Sequence, residues 1–311
     1  MGRARRIRAR TRPAGPGQQE KGATPPQKTF LLGVGCQKGG TTWLHHYLRA
    51  SPQMEPGYRK EYHVFDSRDL PSEEWMRDRI LGMADDELQK ARRGEPADPV
   101  QLHRASMYVD PEFYFDYFAG LLRSRPRIRL TADVTPDYAM LSADRMQHIK
   151  SSFEDRRVRT VAAFLMRDPV ERVWSQIRMQ QKRRPNRFPA PAEEMVARLY
   201  DEPVYEMRTR YDKTIAAVDS VFGEDEVYYG FYETLFTDDE VRRICELTGI
   251  RFRPPNFDRK ANVSQAKPMS GLPDETIRLV ANHYQDVYDA VAKRFPDLNL
   301  TELWASSRYV D

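Results

Sequence analysis

Cysteine is scarce: Cys36 and Cys245 are the only two in 311 residues. That excludes a disulfide framework and reads as two free thiols in a reducing compartment. No Cys/His cluster has the spacing of a zinc site, and no metal is expected. His45 and His46 are adjacent, so they point apart on a helix and read as surface or packing residues. No apolar run approaches the ~20 residues that cross a membrane. The N-terminus is basic but lacks the apolar core of a secretory signal, so a cytoplasmic protein is expected. No internal repeat is visible. A hydrophobic share of 40% and a charged share of 31% are those of an ordinary globular chain, long enough for a sizeable core.

Charge is unevenly placed. Residues 1–29 hold eight Lys/Arg and a single acid, Glu20, for a local charge of +7; the whole chain is +4, leaving −3 for the rest. The first 27 residues are also rich in Pro, Gly and Gln, which predicts a disordered basic tail. Such a tail can touch nucleic acid or an anionic membrane surface, but no basic-aromatic pattern continues into the body. A solvated tail is therefore the reading, with no nucleic-acid partner expected and peripheral membrane contact left open. Residues 28–311 are expected to form one folded domain.

"KTFLLGVG" (Lys28–Gly35) is a nearly continuous apolar run ending in glycine, as in a buried parallel strand. "TTWLHHYLRASP" then reads as a helix stopped at Ser51-Pro52. A short strand is expected within Arg59–Ser67, mixed helix and loop from about Pro71, and a helix over Tyr114–Ser124. Arg127–Met140 reads as a strand entering a turn at Thr135-Pro136. Val158–Met166 is the clearest buried strand; Asp168 follows as a helix cap with Pro169 at the first helical position. Lys182–Pro191 reads as a loop, Asp225–Leu235 as a strand, and "DDEVRRICELTGI" as a helix ending at Gly249. A last helix starts near Pro273 with an apolar stripe from Ile277 to Phe295. Strands alternating with helices predict an α/β fold, a P-loop-like parallel sheet flanked by helices.

The chemistry centres on "GVGCQKGGTTWLHHYL" (Gly33–Leu48). Gly35 and Gly40 have P-loop spacing, but Thr41 and Thr42 stand where a nucleotide triphosphatase has lysine and then Ser/Thr. The lysine, Lys38, lies inside the loop instead. Backbone N–H groups at a helix start bind anions, and Gly39, Gly40, Thr41 and Thr42 supply that cradle. Lys38 can reach an oxygen beyond the cradled phosphate. A second anion grip is expected where Arg167 leaves the best strand, with Ser175 two turns along the next helix. A nucleotide with phosphates at both ends of its ribose suits two such grips. The bland alternatives are a Gly-rich turn with an exposed lysine and a helix start with a solvated arginine.

"QKGGTTWL" together with "RDPVERVWS" resembles the paired signature of sulfotransferases that use 3′-phosphoadenosine 5′-phosphosulfate (PAPS). "RKEYHVFD" resembles the "KE-x-H-F-F-D" segment of their carbohydrate branch, which includes heparan sulfate sulfotransferases, here as a soluble, bacterial-type member. "FYETLFTDDEVRRICELTGI" resembles their late strand and helix. The likeness spans about Phe30 to Pro296. It implies PAPS as donor, with adenosine 3′,5′-bisphosphate as by-product, and transfer of the sulfonate to a hydroxyl, or an amine, of an acceptor such as a carbohydrate or glycolipid. Gln37, Lys38, Gly39, Gly40, Thr41 and Thr42 would hold the 5′-phosphosulfate, and Arg167 and Ser175 the 3′-phosphate. Lys260 and Asn262, with Ser264, stand where the family closes over the nucleotide. Lys38 would stabilise the leaving oxygen. Glu61 matches the carbohydrate branch's general base; His63 is the alternative, since histidine serves in the small-molecule branch. The bland reading of Glu61 is a surface carboxylate paired with Lys60 or Arg59.

"TADVTPDY" departs from the family's Glu-Lys-(Ser/Thr)-Pro-x-Tyr: Asp133 and Val134 replace the first two residues, removing a lysine contact to an anionic sugar. Thr135 and Tyr138 persist and, with Lys60, are expected to meet the acceptor. Aromatics of the middle segment (Trp75, Tyr108, Phe113, Tyr114) suit a sugar or glycolipid head group. The competing reading is a P-loop kinase or NTPase using magnesium-ATP, in which Asp168 would end a Walker B strand. A non-catalytic binder acting through the basic tail is a third. The sequence says nothing of oligomeric state.

Overall fold

Four apolar segments become parallel strands: β1 (Thr29–Gly33), β2 (Leu130–Asp133), β3 (Arg159–Met166) and β4 (Val227–Phe231). The computed structural model describes residues 27–257 and 271–310. The expected tail, apart from Gln27, and Lys260, Asn262 and Ser264 lie outside those residues. The strands form one sheet in the order β2-β1-β3-β4. Leu32 pairs with Asp133 on one side and Ala162 on the other, and Met166 of β3 pairs with Phe231. Every strand runs the same way, so all four carboxyl ends meet at one edge.

Both faces of the sheet are covered, which is why the strands read as apolar runs rather than as alternating patterns. Phe30, Leu32, Phe164 and Met166 pack in one core with Phe118 and Phe153. Leu31, Val161 and Leu165 face the other, with Trp43 and Leu48 of α1 (Thr41–Arg49). The stretch after α1 holds α2 (Asp66–Asp69), α3 (Glu74–Arg92), α4 (Pro99–Val109) and α5 (Pro111–Arg123). Three helices begin alike: Asp98, Asp110 and Asp168 each accept a bond from a backbone N–H of the first turn, with proline next in sequence. Between β2 and β3 lies α6 (Ala143–Glu154). β3 leads into α7 (Pro169–Arg183), and α8 (Ala192–Leu199), α9 (Pro203–Glu206) and α10 (Tyr211–Asp219) precede β4. After β4 come α11 (Asp238–Thr248), α12 (Asp274–His283), α13 (Gln285–Arg294) and α14 (Leu300–Leu303).

Two expectations need correction. Arg59–Ser67 holds no strand; its backbone is fastened to side chains and to the exit of β2. Tyr62 N donates to Asp133 Oδ1 and Thr135 Oγ1, Val64 N to Tyr138 OH, and Lys60 O accepts from Val134 N. The last helix is two, broken at Tyr284, whose ψ of 22° leaves the helical range. The apolar stripe continues across the break because both halves cover the same core.

Candidate active site

Where β1 ends, the chain turns through Val34–Gly40 into α1. Val34 N and Cys36 N donate to Ala163 O and Leu165 O, so the loop continues the β1–β3 ladder before it turns. At Gly39 a Cβ would sit 2.4 Å from Leu165 O, a backbone atom that cannot yield. Gly40 caps α1 with a φ of 98°, a conformation that favours glycine. It brings no side-chain cap, and the first turn carries no acid. The first intrahelical bond is Leu44 N to Gly40 O, so the N–H groups of Thr41, Thr42 and Trp43 precede the helical ladder. A helix start of this kind, with no side-chain cap and no acid of its own, can take an anion.

A cleft of about 180 Å³ opens over this loop. Gln37, Lys38, Gly40, Thr41 and Thr42 line one side, and Arg167 and Ser175 face them from the end of β3 and from α7. Glu61 closes a third side. The structure thus brings together both proposed anion grips and the candidate base. A larger cavity, about 410 Å³, lies at the amino end of β4 beside Asp219 and Arg294, which pair at 2.8 Å; it meets none of the motif residues.

Lys38 has no carboxylate within ion-pair reach among the described residues. Burial, then the cations Arg167, Arg183, Arg178 and Arg172, push its pKa down to about 8. Arg167 pairs with Glu171 at 3.0 Å and stacks 4.4 Å over the Tyr232 ring. One tyrosine links the two grips: Tyr211 OH lies 3.3 Å from Cys36 Sγ and donates to Arg167 O at 2.9 Å. Burial pushes the Cys36 thiol's pKa up, as befits a packing group rather than a nucleophile.

Lys60 Nζ bonds Glu61 Oε1 at 2.5 Å and reaches Thr41 Oγ1 at 3.3 Å. His63 Nε2 lies 3.5 Å from Glu61 Oε2, and His63 Nδ1 bonds Asp66 Oδ2 at 2.7 Å. The His63 carbonyl accepts bonds from Ser67 and Tyr108, which hold the residue at a φ of 59°. Burial alone would lower the imidazole pKa, but the hydrogen bonds to Asp66 and Glu61 outweigh it and raise it to about 10. Burial would raise Glu61; the bonds from His63 and Lys60 win and hold it down at about 2. Glu61 is therefore ionised and His63 protonated at neutral pH.

Other expected residues lie elsewhere. Thr135 and Tyr138 are fully buried beneath the cleft, with their hydroxyls on Asp133 at 2.6 and 2.8 Å. Asp133 also accepts from Tyr114 OH at 3.0 Å. Four donors on one buried carboxylate explain why these side chains are polar: they satisfy Asp133 rather than a ligand. Pro136 and Asp137, between them, reach the cleft wall. Tyr108 and Tyr114 are buried, Phe113 packs against the core, and Trp75 is 52% exposed; none lines the cleft. His45 is buried and His46 exposed, both away from the cleft lining. Asp168 cannot serve as a Walker B acid. Its Oδ1 accepts from Val170 N and Glu171 N, and its two oxygens take the Ser306 hydroxyl and N–H.

Asp137, Met179, Arg183, Tyr232 and Trp43 line the cleft without having been singled out as site residues. Two signals were available. Met179 and Arg183 follow Ser175 at i+4 and i+8, on one face of α7. Tyr232 is the first residue beyond β4, at the ligand-binding edge of a parallel sheet.

A model of the sulfotransferase family matches residues 31–254, which span the loop, Glu61, His63, Arg167 and Ser175. No curated protein matches the sequence. Among solved structures, the sulfotransferase from Alicyclobacillus acidocaldarius is 19% identical and superposes with a TM-score of 0.54, covering 88% of this chain and 96% of that one; the two share a fold. The sulfotransferase domain of the Synechococcus PCC 7002 olefin synthase is 17% identical, with a TM-score of 0.44 over 86% of this chain and 97% of that one. Among the described residues no helix is long and apolar enough to cross a membrane.

Proposed function

Since the chain belongs to the sulfotransferase family, we propose that it moves a sulfonate from PAPS to an acceptor hydroxyl by in-line displacement, with Glu61 as general base. An amine is the second acceptor chemistry. A carbohydrate or glycolipid head group is the proposed acceptor class, on the likeness of the Lys60–Asp66 segment to carbohydrate sulfotransferases. The observation that carries the reading is the convergence of Lys38, Thr41, Thr42, Arg167, Ser175 and Glu61 on one cleft.

The residues fit the donor. PAPS supplies a reactive sulfonate on its 5′-phosphate and carries a separate 3′-phosphate. The uncapped start of α1 offers backbone N–H groups to a phosphate, and the missing Cβ at Gly39 keeps the loop pressed against β3. Gln37 lines the cleft, and its amide NH2 can donate to a phosphate oxygen. Arg167 and Ser175 provide the second grip. Lys38, with no carboxylate partner among the described residues, places its positive charge where negative charge gathers on the departing phosphate oxygen, and it acts in a partly dry site where such charge counts for more than in water.

Glu61 takes the hydroxyl proton. Its side chain is 38% exposed, so one carboxylate faces the cleft while Lys60 and His63 hold it in place. A carboxylate with so low a pKa accepts a proton only as the hydroxyl oxygen loses electron density to sulfur, which places proton transfer late. His63 cannot accept the proton at neutral pH because it already carries one.

The test is thermal stability with adenosine 3′,5′-bisphosphate, set against ADP and magnesium-ATP. A ligand that binds only the folded state raises the melting temperature by mass action. The bisphosphate should stabilise the protein, and Lys38→Ala and Arg167→Ala should each remove the effect. A rise with magnesium-ATP instead, or none with any ligand, would overturn the assignment.

A further inference from the structure

Asp137 enters the cleft where the chain leaves β2, in a turn pinned by its neighbours Thr135 and Tyr138 through Asp133. The residue is 6% exposed. Its Oδ1 accepts from Arg208 Nε at 2.7 Å. Arg208 is also buried, and its other nitrogens bond Glu73 at 2.6 Å and Val204 O at 3.0 Å. A guanidinium with every nitrogen in use thus fixes the carboxylate from behind. Among the described residues, Asp137 Oδ2 accepts no hydrogen bond. His63 Nδ1 is 3.9 Å from it and gives its proton to Asp66 at 2.7 Å.

A carboxylate oxygen held this rigidly on a cleft wall is a fixed acceptor that a donor on a ligand can take over from water. Within its own ion-paired set, Glu61, Asp66, Glu73 and Asp137 meet Lys60, Arg208 and protonated His63, one carboxylate more than cations. Asp137 and Glu61 both line the cleft beside one imidazole ring, Oδ2 at 3.9 Å from Nδ1 and Oε2 at 3.5 Å from Nε2, so an acceptor that meets Glu61 passes close to Asp137. We propose that Asp137 is a specificity-determining residue whose Oδ2 accepts a hydrogen bond from a second donor on the acceptor, a hydroxyl or protonated amine beside the group that is sulfonated. The proposal rests on the reading of Glu61 as the residue that faces the acceptor. It selects vicinal diols and amino alcohols, as sugars and amino sugars present, over lone alcohols and phenols.

The test compares PAPS-dependent sulfonation of cyclohexanol, cis-1,2-cyclohexanediol, trans-2-aminocyclohexanol and trans-2-methoxycyclohexanol. The diol or the amino alcohol should exceed cyclohexanol by at least about tenfold in kcat/KM, and which of the two leads identifies the donor. Asp137→Asn keeps an acceptor for Arg208 but puts an N–H where Oδ2 was. It should erase that advantage and favour the methoxy compound, an inversion that a merely structural role would not produce. Equal rates for diol and mono-ol in the unsubstituted protein, no transfer to either included, would overturn the proposal; so would a diol advantage that survives in Asp137→Asn. Stabilisation by adenosine 3′,5′-bisphosphate, measured alongside, separates the two failures. If it is present without a diol preference, only the role of Asp137 falls; if it is absent, the donor reading falls first.

Discussion

His63 should carry a proton at neutral pH and keep it until well above pH 8. With its pKa raised to about 10, roughly one molecule in a thousand holds a neutral imidazole at pH 7. The perturbation is Asp66→Asn, which leaves the shape of the contact but removes the charge 2.7 Å from Nδ1. A charge-assisted hydrogen bond of this kind is worth about 1.5–3 kcal/mol, so His63 should titrate one to two pH units lower in the variant. The assay is NMR of the histidine-labelled protein, which has six imidazoles to follow. The signal lost in His63→Gln should stay in its protonated form through about pH 9. His45, buried beside Lys60, should stay neutral down to about pH 4 and so serves as the contrast. The effect on stability has a definite sign. A raised histidine stabilises the folded state fully below its unfolded pKa of about 6.5, and that contribution, on the order of a few kcal/mol, is lost as pH climbs toward 10. If His63 titrates near pH 6.5 and Asp66→Asn leaves it there, the imidazole is free to act as a base at neutral pH, and the assignment of that role to Glu61 loses its support.

Glu61→Gln keeps the hydrogen bond from Lys60 but cannot take a proton; kcat should fall about 10²–10⁴-fold while the thermal shift with adenosine 3′,5′-bisphosphate persists. Affinity for that bisphosphate should fall as pH rises past about 8, by about tenfold per unit, because Lys38 deprotonates there in the free protein and a phosphate favours its charged form; calorimetric titration across pH 6–10 reads it. A flat profile would place Lys38 outside the binding site. Asp133→Ala strips a partner from Tyr114, Tyr138, Thr135 and the Tyr62 N–H at once, and urea unfolding should show a loss of about 3 kcal/mol or more.

The local structure of the segments assigned to the donor was legible because it depends on order along the chain. An apolar run ending in Gly-x-Gly, then two glycines and two threonines, is strand, loop and helix start wherever it occurs, and "MRDP" at the end of the longest strand is strand exit followed by helix cap. The acceptor side was less legible. Thr135 and Tyr138 look like site residues in a motif, yet their hydroxyls belong to Asp133, whose need for four donors appears only when β2, α5 and the Lys60–Val64 segment pack together. Asp137 was passed over because its partner, Arg208, is 71 residues away. The strand expected at Arg59–Ser67 failed for a related reason: alternating apolar residues there face a core, but no neighbouring strand offers a ladder, and the backbone bonds side chains instead.

That difference has a mechanical consequence. The phosphate loop and Arg167 hang from β1 and β3, adjacent strands whose backbone bonds continue to Cys36 N and Leu165 O. The spacing of the two anion grips is therefore set by main-chain geometry, which side-chain substitution barely alters. Glu61 and His63 sit on a coil fastened through side chains: Asp133 and Thr135 from one side, Tyr138 and Tyr108 from others. These fastenings are side-chain contacts, which substitution can alter without touching the β1–β3 backbone bonds. A family that keeps one donor while varying its acceptors would gain from this division. On the reading proposed for Glu61 and Asp137, acceptor choice would be open to change at the contact between the Lys60–Asp66 segment and the exit of β2, where Asp137 stands.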